Sequence, residues 1–144
     1  MKSAHILLVE DNEGDIVLTK EALEEVQIVN NVSVVKDGDA AINFLKKNGK
    51  YEKVSLPDLI LLDINIPKKN GQQVLQFIKT SEHFKHIPVI MLTTSSSEKD
   101  ILESYRNYAN CYITKPVDIS DFMNAIVKIE EFWINIVKLP GKKN

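Results

Sequence analysis

Cysteine is almost missing from this chain of 144 residues: Cys111 is the only one. A single cysteine excludes an internal disulfide and any zinc site built on cysteines. Glycine and proline are sparse, at five residues each, and there is no low-complexity tract, linker or internal repeat. Neither sign of charge dominates. The formal net charge is -2, which argues against the basic surface of a nucleic-acid-binding domain. No apolar run is long enough to cross a bilayer. The start, Met1-Lys2-Ser3-Ala4-His5, leads straight into a strand-like stretch and has no signal-peptide core. With 44% hydrophobic and 26% charged residues, the composition is that of a soluble globular domain, expected in the cytoplasm. The length suits one domain over residues 1–140. Gly141-Lys142-Lys143-Asn144 is expected to be a frayed tail, and no output domain is expected.

What is present is organised around Pro57-Asp58-Leu59-Ile60-Leu61-Leu62-Asp63-Ile64-Asn65-Ile66-Pro67. Its unbroken apolar core suits a central strand buried on both faces, with Asp63 lifted out at the carboxyl end. Before it come a strand at His5-Ile6-Leu7-Leu8-Val9, a helix over 15–27 with Ile16, Val17, Leu23 and Val26 inward, and a strand at Val32–Val35. A helix over 39–48 follows, burying Ala40, Ala41, Phe44 and Leu45, and then a polar loop from Asn48 to Ser55. After it come a helix over 72–80 burying Val74, Leu75 and Ile78, a strand at Pro88–Thr94, and a helix from Ser97 to about Tyr108. A strand at Cys111–Thr114 and a long last helix over 120–137 close the chain. Five strand–helix alternations predict a doubly wound α/β fold with a parallel sheet and helices on both faces.

The strand ends carry the chemistry. The first strand ends in Glu10-Asp11, the third in Asp63, the fourth in Thr93-Thr94 and the fifth in Lys115. In a parallel sheet these ends share one edge, where open α/β sheets bind ligands. Three crowded carboxylates repel one another unless a cation joins them, and oxygen ligands without histidine or cysteine favour Mg²⁺ over zinc. A carboxylate can also attack phosphorus to give an aspartyl-phosphate, with the metal and a lysine neutralising the phosphoryl oxygens. Taken singly, each residue has a plain alternative: Glu10-Asp11 as helix-capping acids, Thr93 as a strand-end hydroxyl, Lys115 as a solvated lysine. Their conjunction at four strand ends favours a site.

These residues, in the stretches Val9-Glu10-Asp11-Asn12, Leu61-Leu62-Asp63 to Pro67, Gly71, Pro88 to Thr93 and Tyr112-Ile113-Thr114-Lys115-Pro116, resemble the receiver domain of two-component response regulators along nearly the whole chain. The resemblance implies a flavodoxin-like fold of strand order 2-1-3-4-5. It implies that Asp63 accepts a phosphoryl group from a sensor histidine kinase. Asp11 would bind Mg²⁺ directly, Glu10 through a water, and the backbone carbonyl of Asn65 would complete the ligands. Lys115 would pair with Asp63 and then with the phosphate, oriented by a cis Lys115-Pro116 bond. Thr93 and Tyr112 would form a switch read out on the surface of the fourth helix, fifth strand and fifth helix. The stretches Asp100 to Tyr105 and Ala109 to Pro116, the loop Asn48 to Pro57, and the ending Ile129 to Pro140 resemble the small regulators paired with cyanobacterial phytochromes. A phytochrome-like kinase partner is implied.

The last helix carries Ile119, Phe122, Met123, Ile126, Ile129, Trp133, Ile136 and Val137. One stripe must pack on the sheet, and the plain alternative is that all of it is core. Because Phe132-Trp133 to Pro140 extends past the usual receiver end, however, it is expected to leave apolar area for a homodimer through the C-terminal region. His83 and His86 read as solvated, Cys111 as a small buried residue, and His5 as a residue preceding the first strand. The chain reads as a phosphoacceptor rather than an enzyme. A haloacid-type phosphatase needs a second aspartate where Asn65 stands. The alternative is a protein-binding module that works without phosphorylation.

Overall fold

In the computed structural model, residues 4–26, 29–94 and 97–129 are described. Five strands form one parallel sheet: β1 (Ala4–Val9), β2 (Val29–Val35), β3 (Leu59–Leu62), β4 (Val89–Thr93) and β5 (Cys111–Thr114). Their order is β2-β1-β3-β4-β5, the predicted doubly wound arrangement. The helices are α1 (Glu13–Glu24), α2 (Gly38–Lys46), α3 (Gly71–Thr80), α4 (Glu98–Arg106) and α5 (Ile119–Val127).

Side-chain alternation divides the core into two layers. Ile6, Leu8, Leu61, Ile90, Leu92 and Ile113 face Ile16 and Leu23 of α1 and Phe122 and Ile126 of α5. Leu7, Val9, Ile60, Leu62, Val89 and Met91 face Phe44 of α2 and Val74, Leu75 and Ile78 of α3. The middle strands are buried on both sides, which is why they read as apolar runs rather than as alternating ones. Each fully buried Leu or Ile contributes about 1.5–3 kcal/mol. Helix starts are set by side-chain caps: Asn12, Asp37, Asn70, Ser97 and Asp118 each accept a backbone N–H of the first turn.

Several local expectations are corrected. Helix α1 begins at Glu13 because Asn12 caps it, and Val17 faces solvent while Thr19 is buried. Strand β2 starts at Val29, extended by pairing with Ala4 and His5 across a register shift. The first strand begins one residue earlier than expected, at Ala4, and His5 within it is buried. The segment after α2 is not wholly irregular. Gly49–Tyr51 forms a 3-10 turn, and Tyr51 packs on Phe44 with ring centroids 5.4 Å apart. Ala40 is only half-buried, as are Ile119 and Met123 of α5. Helix α4 ends at Arg106, and its one buried residue is Ser104. Helix α5 does not run unbroken from Ser120 to Val137: it ends at Val127, with its C-cap at Lys128. The stripe through Trp133, Ile136 and Val137, and the dimer contact assigned to it, lie outside the described residues.

Candidate functional site

The sheet topology delivers the predicted residues to one edge. Glu10 follows β1, and its N–H donates to Val35 O at 3.0 Å. Asp63 follows β3, and its N–H donates to Val9 O at 3.1 Å, which ties the two acidic strand ends together. Thr93 ends β4 with 0% exposure, and its carbonyl accepts from the Lys115 N–H at 2.8 Å. The Lys115-Pro116 peptide is cis, as the resemblance implied. Close packing beneath the site depends on Gly71 at the start of α3. A Cβ there would lie 2.2 Å from the Asp63 carbonyl oxygen, so no larger residue fits without moving the Asp63 backbone.

Glu10, Asp11 and Asp63 offer carboxylate oxygens that all lie within 4.8 Å of one another. Glu10 and Asp63 are buried, at 1% and 6% exposure, whereas Asp11 is exposed. The Lys115 ammonium sits among them. It donates to Asp63 Oδ2 at 2.9 Å and to Asp15 Oδ2 at 2.9 Å, and it abuts Glu10 Oε1. Asp15 was missed by the sequence reading, which took it as part of a helix start. Its signal is its place four residues after Asp11, in the first turn of α1, on the edge shared with the strand ends. The N–H groups of Asn12 and Asn65 donate to Glu10 Oε2 at 3.2 Å and to Asp63 Oδ1 at 3.3 Å.

The charges do not balance. Three carboxylates contact one ammonium, and Asp11 adds a fourth carboxylate beside Glu10 and Asp63. Burial raises the Glu10 pKa above its ordinary value, and the Asp63 charge adds to this, while Lys115 and the Asn12 N–H pull it the other way. Burial alone would lower the Lys115 pKa, but its bonds to Glu10, Asp15 and Asp63 win, and the ammonium is held charged. A hard divalent cation fits this donor set: all oxygen, partly open to water at Asp11, and short of positive charge.

Tyr112, in β5 opposite Met91, is half-buried against the α2–α3 layer. It lies on the strand that leads to Lys115. Asn65 is exposed, two residues past Asp63. His83 and His86 are exposed, as expected, in the segment before β4, which leads into the opposite end of that strand. Cys111 is buried, and burial raises its thiol pKa.

Residues 6–127 match the family model of the response regulator receiver domain. The chain belongs to that family. It is 44% identical over 136 residues to response regulator Rcp1 of Synechocystis sp. (strain ATCC 27184 / PCC 6803 / Kazusa), covering 94% of this chain and 92% of the relative. Among solved structures, the phosphorylated cyanobacterial phytochrome response regulator RcpA superposes with a TM-score of 0.78 at 45% identity, covering 96% of this chain and 99% of that one. The Mn²⁺-bound form of Rcp1 gives 0.76 at 43% identity, with coverage of 96% and 99%. The receiver fold and the likeness to phytochrome response regulators are thus established for this chain. Among the described residues, no helix is long and apolar enough to cross a membrane.

Proposed function

We propose that this receiver accepts a phosphoryl group on Asp63 from a phosphohistidine of a sensor histidine kinase, with Mg²⁺ as cofactor. The observation that carries the reading is the Asp63 carboxylate, buried at a strand end, 2.9 Å from the Lys115 ammonium and within a carboxylate cluster of excess negative charge. In the transfer, an Asp63 oxygen attacks phosphorus, the P–N bond of the phosphohistidine breaks, and the imidazole leaves with its electron pair and takes up a proton. Asp11, Asp63 and the Asn65 carbonyl would hold the metal, with Glu10 acting through a metal-bound water. When bound, the cation neutralises charge on the phosphoryl oxygens and the carboxylates. Lys115 exchanges part of its contact with Asp63 for a phosphoryl oxygen, and the Thr93 hydroxyl donates to another. The Mn²⁺-bound form of Rcp1 and the phosphorylated form of RcpA support both parts of this reading for relatives of the same length.

The consequence is a population shift rather than catalysis on an outside substrate. Thr93 moves toward the phosphate and Tyr112 turns inward, altering the surface of α4, β5 and α5. This reading makes the chain a cytoplasmic phosphoprotein that works through protein contacts, not DNA or membrane. Its kinase is phytochrome-like, and its homodimer forms through the C-terminal region.

The test is intact mass after incubation with acetyl phosphate or phosphoramidate, with Mg²⁺ or with chelator. Wild type is expected to gain one phosphate only with metal, and Asp63→Asn none. Equal gain by Asp63→Asn would remove the acceptor assignment. Failure of wild type to gain phosphate and to bind beryllofluoride would favour a phosphorylation-independent binding module.

A further inference from the structure

A recess of about 660 Å³ opens at the other edge of the sheet, where β4 and β5 begin. It is lined by Lys79 at the end of α3, Lys85 and His86 before β4, and Tyr105, Tyr108 and Asn110 at the end of α4. Tyr108 is the residue that demands an account. Its φ is +67°, in the left-handed region. It ends α4 as glycine usually does: its N–H donates to Tyr105 O at 3.0 Å, and the Ala109 N–H reaches Ser104 O at 3.0 Å. An aromatic residue there is strained where glycine would not be. Burial does not compensate, because Tyr108 is 75% exposed. Neither backbone nor core explains the side chain. Tyr105 and Leu102, at successive steps of three along α4, are also exposed, at 48% and 55%.

The walls carry two ammonium groups, Lys79 and Lys85. No carboxylate residue lines the recess, and the His86 ring adds a polar wall beside the two ammonium groups. The Lys79 ammonium is fixed at the wall by donation to the Ile87 carbonyl at 2.8 Å and the Lys85 carbonyl at 3.2 Å. Lys85 makes one exposed ion pair, with Glu82 at 3.1 Å, of the kind that contributes little and exchanges readily. A small ligand needs most of its surface enclosed. A ring as open as Tyr108 instead has to be covered from outside, by a protein segment, and tyrosine is favoured at such contacts. We propose that this recess docks a partner protein through a segment that presents an apolar or aromatic side chain flanked by carboxylates. The recess lies at the edge opposite Asp63, and its two ammonium groups come from α3 and the segment before β4 rather than from the α4–β5–α5 surface, so the docking tethers the partner whether or not Asp63 is phosphorylated. Tyr105 also lines the groove between α4, β5 and α5, so the test leaves it intact.

The probe is a synthetic peptide with one tryptophan between runs of glutamate, compared with the same peptide carrying lysines. Both are titrated into the ¹⁵N-labelled full chain. The acidic peptide is expected to perturb amides at 79, 85–86 and 105–110, and to bind at least about tenfold more tightly than the basic one. Tyr108→Gly is expected to weaken it at least about tenfold while melting no lower than wild type, because the left-handed strain is relieved. The charge reversal Lys85→Glu with His86→Glu is expected to weaken it similarly. Beryllofluoride should leave the affinity unchanged. Equal binding of the two peptides, perturbation confined to other surfaces, or full affinity in both variants would overturn the proposal. A Tyr108→Gly protein melting well below wild type would overturn the strain argument, leaving the charge-reversal variant to decide the docking. An affinity that follows beryllofluoride would overturn the phosphorylation independence.

Discussion

The two edges of the sheet treat buried polar groups in opposite ways. At the amino-end edge, His5 is buried with both ring nitrogens engaged, Nε2 with Ser33 Oγ at 2.9 Å and Nδ1 with Ser55 Oγ at 3.3 Å. Asp58 accepts from the His5 N–H at 2.8 Å and donates its own N–H to the His5 carbonyl at 2.8 Å. Every partner closes on another. At the carboxyl-end edge, three carboxylates share one ammonium with a fourth, Asp11, beside them, and burial works against the ionised form of Glu10. A closed hydrogen-bond network fixes a fold. A crowded set of like charges does not by itself stabilise one, and such clusters are characteristic of functional sites.

The comparison can be broken most sharply at Lys115. Its ammonium is 7% exposed, and it is the cation of the cluster. Lys115→Ala leaves Glu10 and Asp63 buried without a counter-charge, a loss of about 3 kcal/mol. Urea melts in chelator are expected to show that loss, and Mg²⁺ to recover part of it. A variant as stable as wild type without metal would mean that the carboxylates repel less than the geometry says. The same variant should still take some phosphate on Asp63 while losing the change at the α4–β5–α5 surface. At the other edge, His5→Ala opens a cavity beside Phe44 and leaves two hydroxyls without their partner. About 2 kcal/mol should be lost, and Mg²⁺ should recover none of it. Dependence of the His5 variant on metal would erase the distinction between the edges.

A smaller effect of opposite sign is expected at Asp63. Asp63→Asn removes one of the crowded charges and, although it breaks an ion pair with Lys115, should stabilise the protein by about 1 kcal/mol in chelator. The gain should shrink with Mg²⁺, which stabilises only the native cluster. Thermal melts with and without metal check this, and a loss in both conditions would make Asp63 a structural partner of Lys115 rather than an acceptor held at a cost.

Much of this contrast was legible in the sequence, and for a physical reason. Parallel strands buried on both faces spell continuous apolar runs, and the first polar residue after each run marks the edge where it emerges. Glu10, Asp63, Thr93 and Lys115 were found that way, and the structure brings them to one edge. The structural and functional edges differ in how far they can be read. His5 and Ser33 look like ordinary strand residues, and their mutual contact depends on the β1–β2 register, which the polar Asn30-Asn31 hid. Val17 looked buried because α1 is only weakly two-faced, so single positions could not be told apart by spacing. Asp15 was invisible because an acid in a helix's first turn is equally a favourable partner of the helix dipole. Nothing in a tyrosine announces a left-handed φ, so Tyr108 is a feature of the fold alone.

The smallest expected effect is a dependence on pH at the carboxyl-end edge. Glu10 has a folded pKa above its ordinary 4.5, chiefly through burial. Below 4.5 both folded and unfolded chains are protonated there, and the residue contributes nothing. Between 4.5 and the raised value the folded chain holds more proton than the unfolded chain, so stability falls as pH rises. Above that window the penalty is complete and constant. Lys115 does not interfere, because its raised pKa keeps its contribution intact below 10.5 and loses it only at more alkaline pH. In chelator, the difference in stability between Glu10→Gln and wild type should therefore grow from pH 4.5 upward and then level off. With Mg²⁺ the cation favours the ionised carboxylate, so the same difference should shrink or change sign. Urea midpoints across this range, with and without metal, measure both curves. If they coincide, the cluster does not sense a divalent cation, and the carboxyl-end edge is as self-contained as the other.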